Sequence, residues 1–122
     1  VARALPALWR AEKVQKKAAK VGFDWDSVDG AVDKLSEELD EVKEAINGHG
    51  DPAEELGDLL FAAVNVARFL KVDPEDALQA ACDKFAARFR RVEEAVTAQG
   101  KQMEDMSLKE LDDIWNAIKH QP

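Results

Sequence analysis

The sequence predicts an all-α protein, an antiparallel helical bundle with a four-helix core and a short C-terminal helix. Three observations predict it. Apolar residues recur every three or four positions along most of the chain, strand-like alternation is almost absent, and start and stop signals cut the periodic stretches into five pieces. With 122 residues, 46% hydrophobic and 34% charged, the chain suits one domain, residues 1–122, with a core of useful size.

The first helix is expected from about Leu5 to Lys20, with Leu8, Trp9, Ala11, Val14, Ala18 and Val21 on one side and Lys13, Lys16, Lys17 and Lys20 on the other. Gly22 suits the left-handed position that ends a helix. Ser27 or Asp26 caps the second helix, which continues to about Ile46. Its apolar residues Val28, Val32, Leu35, Leu39, Val42 and Ile46 form a sustained seam for packing. Asp51-Pro52-Ala53-Glu54 combines a cap, a proline at the first helical position and an acid placed as in a capping box. The third helix so opened runs to about Leu70 and is expected to bury Leu56, Leu59, Leu60, Ala63, Val66, Ala67 and Leu70. Asp73-Pro74-Glu75-Asp76 repeats the signal for a fourth helix reaching roughly Ala98, with a seam of Leu78, Cys82, Phe85, Phe89, Val92 and Val96. Ser107-Leu108-Lys109-Glu110 reads as another capping box, opening a last helix through Leu111, Ile114, Trp115 and Ile118. Short connections make consecutive helices antiparallel neighbours.

A net charge of −8 argues against a nucleic-acid polymer or a membrane surface as partner, since either normally meets a basic face. No apolar run has the length of a membrane span. The single cysteine, Cys82, fits a reducing compartment, so a cytoplasmic location is expected, and Cys82 itself is read as an inert seam residue. The chain opens on Val1 rather than Met, which is read as a sign that it is cut from something longer.

Chemistry concentrates in two acidic pairs, Glu38/Glu41 on the second helix and Glu55/Asp58 on the third. Residues three apart are neighbours on one helix face. On a helical wheel Glu38 lies about 40° from Val42 and Glu41 about 60° further out, while Glu55 and Asp58 lie about 20° and 80° outside their own seam. Both pairs sit on rims of buried stripes. A single acidic pair is usually a solvated face, but two pairs on touching helices bring four anions together. Clustered carboxylates repel unless a cation sits among them, and hard oxygen ligands suit Mg²⁺, with Mn²⁺ as a substitute. The sequence therefore predicts a carboxylate cage between two helices. Lys84, Arg88 and Arg91 align on the fourth helix and fit either a phosphate chain or ion pairs with neighbouring acids.

These residues resemble the signature of the all-α nucleoside triphosphate pyrophosphohydrolases, and the detail resembles the MazG type. The matching stretches are Lys34-x-x-Glu37-Glu38-x-x-Glu41, Glu54-Glu55-Leu56-Gly57-Asp58-Leu59-Leu60-Phe61 and Lys84-Phe85-x-x-Arg88-Phe89. Upstream, Gln15-Lys16-Lys17-Ala18-Ala19-Lys20-Val21-Gly22-Phe23-Asp24-Trp25 resembles the approach to the same domain, and the segment is most similar to the carboxy-terminal domain of the two-domain enzymes. The resemblance implies hydrolysis of nucleoside triphosphates to monophosphate and pyrophosphate by metal-activated water, with relaxed base preference. It implies metal ligation by Glu38, Glu41, Glu55 and Asp58, with Glu37 or Glu38 helping to deprotonate water. It implies nucleotide contacts from Lys34, Lys84, Arg88, Trp115 and Lys119, and it implies a homodimer or larger even assembly. Trp115 also falls within the last helix's apolar stripe, so core packing stays open for it. A narrower dUTPase- or dCTPase-like substrate and a non-catalytic helical nucleotide- or protein-binding module are the alternatives.

Overall fold

The computed structural model describes residues 5–121. Five helices follow in order: α1 (Ala7–Lys20), α2 (Val28–Ile46), α3 (Pro52–Phe69), α4 (Pro74–Ala98) and α5 (Leu108–Lys119), with a 3₁₀ turn at Met103–Asp105 before the last. No strand occurs among the described residues. The chain divides into two compact units, Val1–Ala77 and Leu78–Pro122.

The expected boundaries hold to within two residues, and the caps explain why. Ser27 accepts from Asp29 N, and Asp51 accepts from Ala53 N with Pro52 at the first helical position. Asp73 Oδ1 accepts from the backbone N–H of Glu75 and Asp76 and also from Trp9 Nε1 at 2.8 Å, which fastens α1 to the start of α4 within the first unit. At Ser107 the full reciprocal capping box forms with Glu110. At Asp51 the side chain accepts from Ala53 N instead of Glu54 N, so Glu54 is an exposed acid rather than a box partner. The first helix starts two residues later than expected, because Pro6 occupies its N-cap.

Gly22 takes a φ of 89°, and Phe23 N and Gly22 N return to Ala18 O and Ala19 O, the left-handed stop expected after α1. Lys71 does the same job after α3 at φ 61°, where glycine would be unstrained.

The packed faces differ from the expected seams. In the first unit α3 is central, packing against α2 and against α1. The buried apolar residues here are Ala31 and Ala45 of α2 and Ala62 and Val64 of α3. Val32, Leu39, Ile46, Leu56, Leu60 and Leu70, all expected in buried seams, are exposed. On α2, Ala31, Glu38 and Ala45 form one stripe seven residues apart, whereas Val32, Leu39 and Ile46 form a parallel stripe about 60–100° around the helix. Alanines let α2 and α3 approach closely, and one neighbour covers only one edge of so wide a seam.

In the second unit Val92, Val96 and Ile118 are the buried centre, with Met103, Met106, Leu111, Ile114 and Trp115 packed around them. The first half of the α4 seam is exposed: Leu78, Cys82, Phe85 and Phe89. Cys82 is thus a surface thiol, not the packed residue the seam suggested.

Candidate functional site

Glu38 stands in the middle of the α2 stripe that faces α3, and it is one of three buried polar residues in the chain's described part. Glu55 lies in the first turn of α3, where the helix N-terminus favours an anion, and Asp58 lies one turn later. These three carboxylates bring one oxygen each to within 4.8 Å of one another. Two elements separated by a five-residue connection thereby build one acidic cluster.

Glu41 stays outside this trio and is exposed. It is nonetheless close enough to act on it: loss of water and then the charges of Glu41, Asp58, Glu54 and Glu38 hold the Glu55 carboxyl above its ordinary value. That is the electrostatic mark of anions crowded without enough compensating charge. The cation paired within the cluster is Lys34, whose Nζ lies 3.0 Å from Glu38 Oε1 and 3.6 Å from Glu37 Oε1. The hydrogen bond to Glu38 is the main reason that the Lys34 ammonium is held above its ordinary pKa. Glu37 itself is mostly exposed. All-oxygen, partly desolvated donors fit a hard divalent cation, and Glu38, Glu55 and Asp58 are the residues placed to hold it.

Beside the cluster opens a cavity of about 640 Å³, within the first unit, and Lys34, Glu38 and Asp58 line its acidic end. Phe23, Trp25 and Phe61 supply its aromatic surface, and Gln15, Asp24, Asn65 and Arg68 its remaining polar groups. A second cavity, of about 600 Å³ and lined by residues such as Glu12, Lys16 and Asp73, takes in none of the acids of the cluster. Gln15, Trp25, Asn65 and Arg68 were not foreseen as site residues. Gln15 gave a signal, being a polar residue between Ala11 and Ala18 on the apolar face of α1. Asn65, seven residues beyond Asp58, extends the acidic row along α3.

The other basic candidates belong to the second unit. Arg88 Cζ sits 5.1 Å above the Trp115 ring, and Phe85 packs on the same ring at 5.1 Å between centroids. Trp115 is half-buried against the Val92–Val96–Ile118 centre, so the packing role holds for its inner part while Arg88 covers the ring. Lys84 and Lys119 are exposed.

Fold and site together define an all-helical protein that gathers carboxylates from two packed helices. The chain belongs to the MazG nucleotide pyrophosphohydrolase domain family, whose profile matches residues 27–93. It is 46% identical over 125 residues to a nucleoside triphosphate pyrophosphohydrolase of Escherichia coli K12, covering 99% of this chain and 48% of the relative. It is 44% identical over 115 residues to the nucleoside triphosphate pyrophosphohydrolase/pyrophosphatase MazG of Thermotoga maritima, covering 94% of this chain and 45% of that protein. The chain therefore spans about half the length of the curated relatives it matches. No helix of the described residues is long and apolar enough to cross a membrane.

Proposed function

We propose that this chain hydrolyses nucleoside triphosphates to nucleoside monophosphate and pyrophosphate, with relaxed base preference, as one domain located in the cytoplasm. The observation that carries this reading is the Glu38–Glu55–Asp58 cluster, formed across α2 and α3 within the residues that the family profile matches. Glu38, Glu55 and Asp58, joined by Glu41, hold Mg²⁺ or Mn²⁺. The ion supplies positive charge against phosphate oxygens and makes water more acidic. A carboxylate of the Glu37–Glu38 pair accepts the proton of the attacking water. Lys34, at the edge of the cluster, contacts the triphosphate, and in the second unit Lys84, Arg88, Trp115 and Lys119 are nucleotide-contacting residues on the strength of the resemblance. Opposed helices in a bundle suit this arrangement, because antiparallel α2 and α3 set both acidic pairs at one level.

The same reading includes a homodimer or a larger even assembly. Its support is the exposed apolar stripe of α2, together with Leu56, Leu60 and Phe85 at about half exposure each. Apolar surface of that extent usually marks an interface. A monomeric mass by light scattering at micromolar concentration would refute the assembly.

The test of activity is pyrophosphate release from a panel of ribo- and deoxyribonucleoside triphosphates, with Mg²⁺ and with chelator. Release from most of the panel, abolished by chelator, is expected. Release from dUTP or dCTP alone points to a narrow enzyme. Binding without release points to a non-catalytic module.

A further inference from the structure

We propose that Lys34 is a built-in competitor of the metal: its ammonium and a divalent cation exchange on the Glu38 carboxylate. Lys34 thereby sets how tightly the metal is held and ties metal binding to triphosphate binding. This rests on the hydrolase reading above and deepens it.

Lys34 stands on α2 one turn before the acidic pair. Its Nζ lies 3.0 Å from Glu38 Oε1 and 3.6 Å from Glu37 Oε1, so the ammonium hangs between two neighbouring carboxylates. The two differ in their surroundings. The Glu38 side chain is 10% exposed and belongs to the trio with Glu55 and Asp58, whereas that of Glu37 is 63% exposed and stands outside the trio. A buried carboxylate needs a counter-charge more than a solvated one does. Helix geometry alone does not favour the closer bond, because lysine four residues before glutamate is the weaker order of that pair on an isolated helix. The crowding of the cluster does favour it: three acids bring oxygens within 4.8 Å of one another, and Lys34 is the cation paired there.

Lys34 bonds only one acid of the trio. A divalent cation held by Glu38, Glu55 and Asp58 gives all three a shared counter-charge of twice the size. An ammonium on the same carboxylate then meets a like charge at close range, with little water to screen it. Lys34 has somewhere to go. Its side chain is 40% exposed, its four-carbon stem is flexible, and Glu37 already lies within ion-pair range on the outer side. Released from Glu38, the ammonium is free for a phosphate oxygen. A phosphate bound there favours the exchanged arrangement, and the coupling is reciprocal, so metal and triphosphate each tighten the other.

The probe is Mn²⁺ alone, titrated by calorimetry at 0.15 M salt into the wild type, Lys34→Met, Lys34→Arg and Lys43→Met, with helical content by circular dichroism. Lys43 is a control for net charge, being about 13.5 Å further along α2 and beyond the screening length of about 8 Å. Lys34→Met should bind Mn²⁺ roughly tenfold or more tightly than the wild type, the worth of a charge-assisted hydrogen bond that no longer has to be broken. Lys34→Arg keeps the competitor and should bind less tightly than Lys34→Met, and Lys43→Met should stay within about twofold of the wild type. A second readout needs no variant: acetylation of wild-type lysines by an N-hydroxysuccinimide ester, followed by mass spectrometry, should rise at Lys34 on addition of Mn²⁺ and not at Lys43. Unchanged or weaker Mn²⁺ binding in Lys34→Met, an equal gain in Lys43→Met or Lys34→Arg, or Lys34 labelling that Mn²⁺ does not raise each overturns the exchange and leaves the hydrolase standing. A wild type that binds no Mn²⁺ overturns the exchange and the metal set together. The exchange as described, without pyrophosphate release from any triphosphate, sinks the hydrolase alone.

Discussion

Replacing Asp24 by Asn tests how the wall of the cavity is held. The carboxylate receives Arg68 Nη1 and Nη2 at 2.8 and 2.7 Å, and the two side chains are 21% and 12% exposed. An exposed ion pair contributes about 0–1 kcal/mol, whereas breaking a buried one costs about 3–5 kcal/mol. This pair lies between the limits, and Asn keeps the shape and the bond from Trp25 N but removes the charge. We expect a loss of about 2 kcal/mol, or a melting temperature lower by about 8 °C for a chain of this size. The pairing with Arg68 holds the Asp24 carboxyl below its ordinary value. Its contribution is therefore complete above the ordinary carboxylate pKa and disappears as pH falls through the lowered one. Thermal melts of both proteins at neutral pH and near pH 3 give the result. A gap under about 0.5 kcal/mol at neutral pH, or a gap that does not shrink in acid, refutes the reasoning.

Glu41→Gln should melt higher than the wild type in chelator, because it removes the largest of the charges that raise Glu55. It should also gain less from Mg²⁺, where the wild type gains about 2.7 kcal/mol at a hundredfold excess over Kd; equal gains would remove Glu41 from the metal set. Lys71→Gly relieves a left-handed residue at φ 61° and should stabilise the protein by about 0.5–1 kcal/mol in urea melts, whereas a loss would show that the turn is not strained.

Helix positions were legible because caps are local: Ser27, Asp51, Asp73 and Ser107 each bond within three residues. Which stripe of a helix meets its neighbour was not. The seams on α2 and α3 are wide, and the pairing runs through Ala31, Ala45 and Ala62, small residues that carry little weight in an apolar pattern. The acids were legible as a cluster since both pairs flank those stripes, but the split between the close trio and the outlying Glu41 depends on the rotation of α2 against α3. The cavity depended on contacts between distant residues, with Asp24 and Arg68 44 apart and Gln15 and Phe61 46 apart, which no local spacing encodes.

The central claim is that acids drawn from α2 and α3 drive cleavage between the α- and β-phosphates. Phosphorus NMR of a nucleoside triphosphate incubated with the chain reads this directly, for the wild type and for Glu38→Gln and Asp58→Asn. The wild type should yield monophosphate and pyrophosphate in equal amounts, only with Mg²⁺ present, and each variant should be slower by roughly a hundredfold or more while remaining helical. Diphosphate and inorganic phosphate as products, or undiminished turnover in Glu38→Gln, would contradict the account.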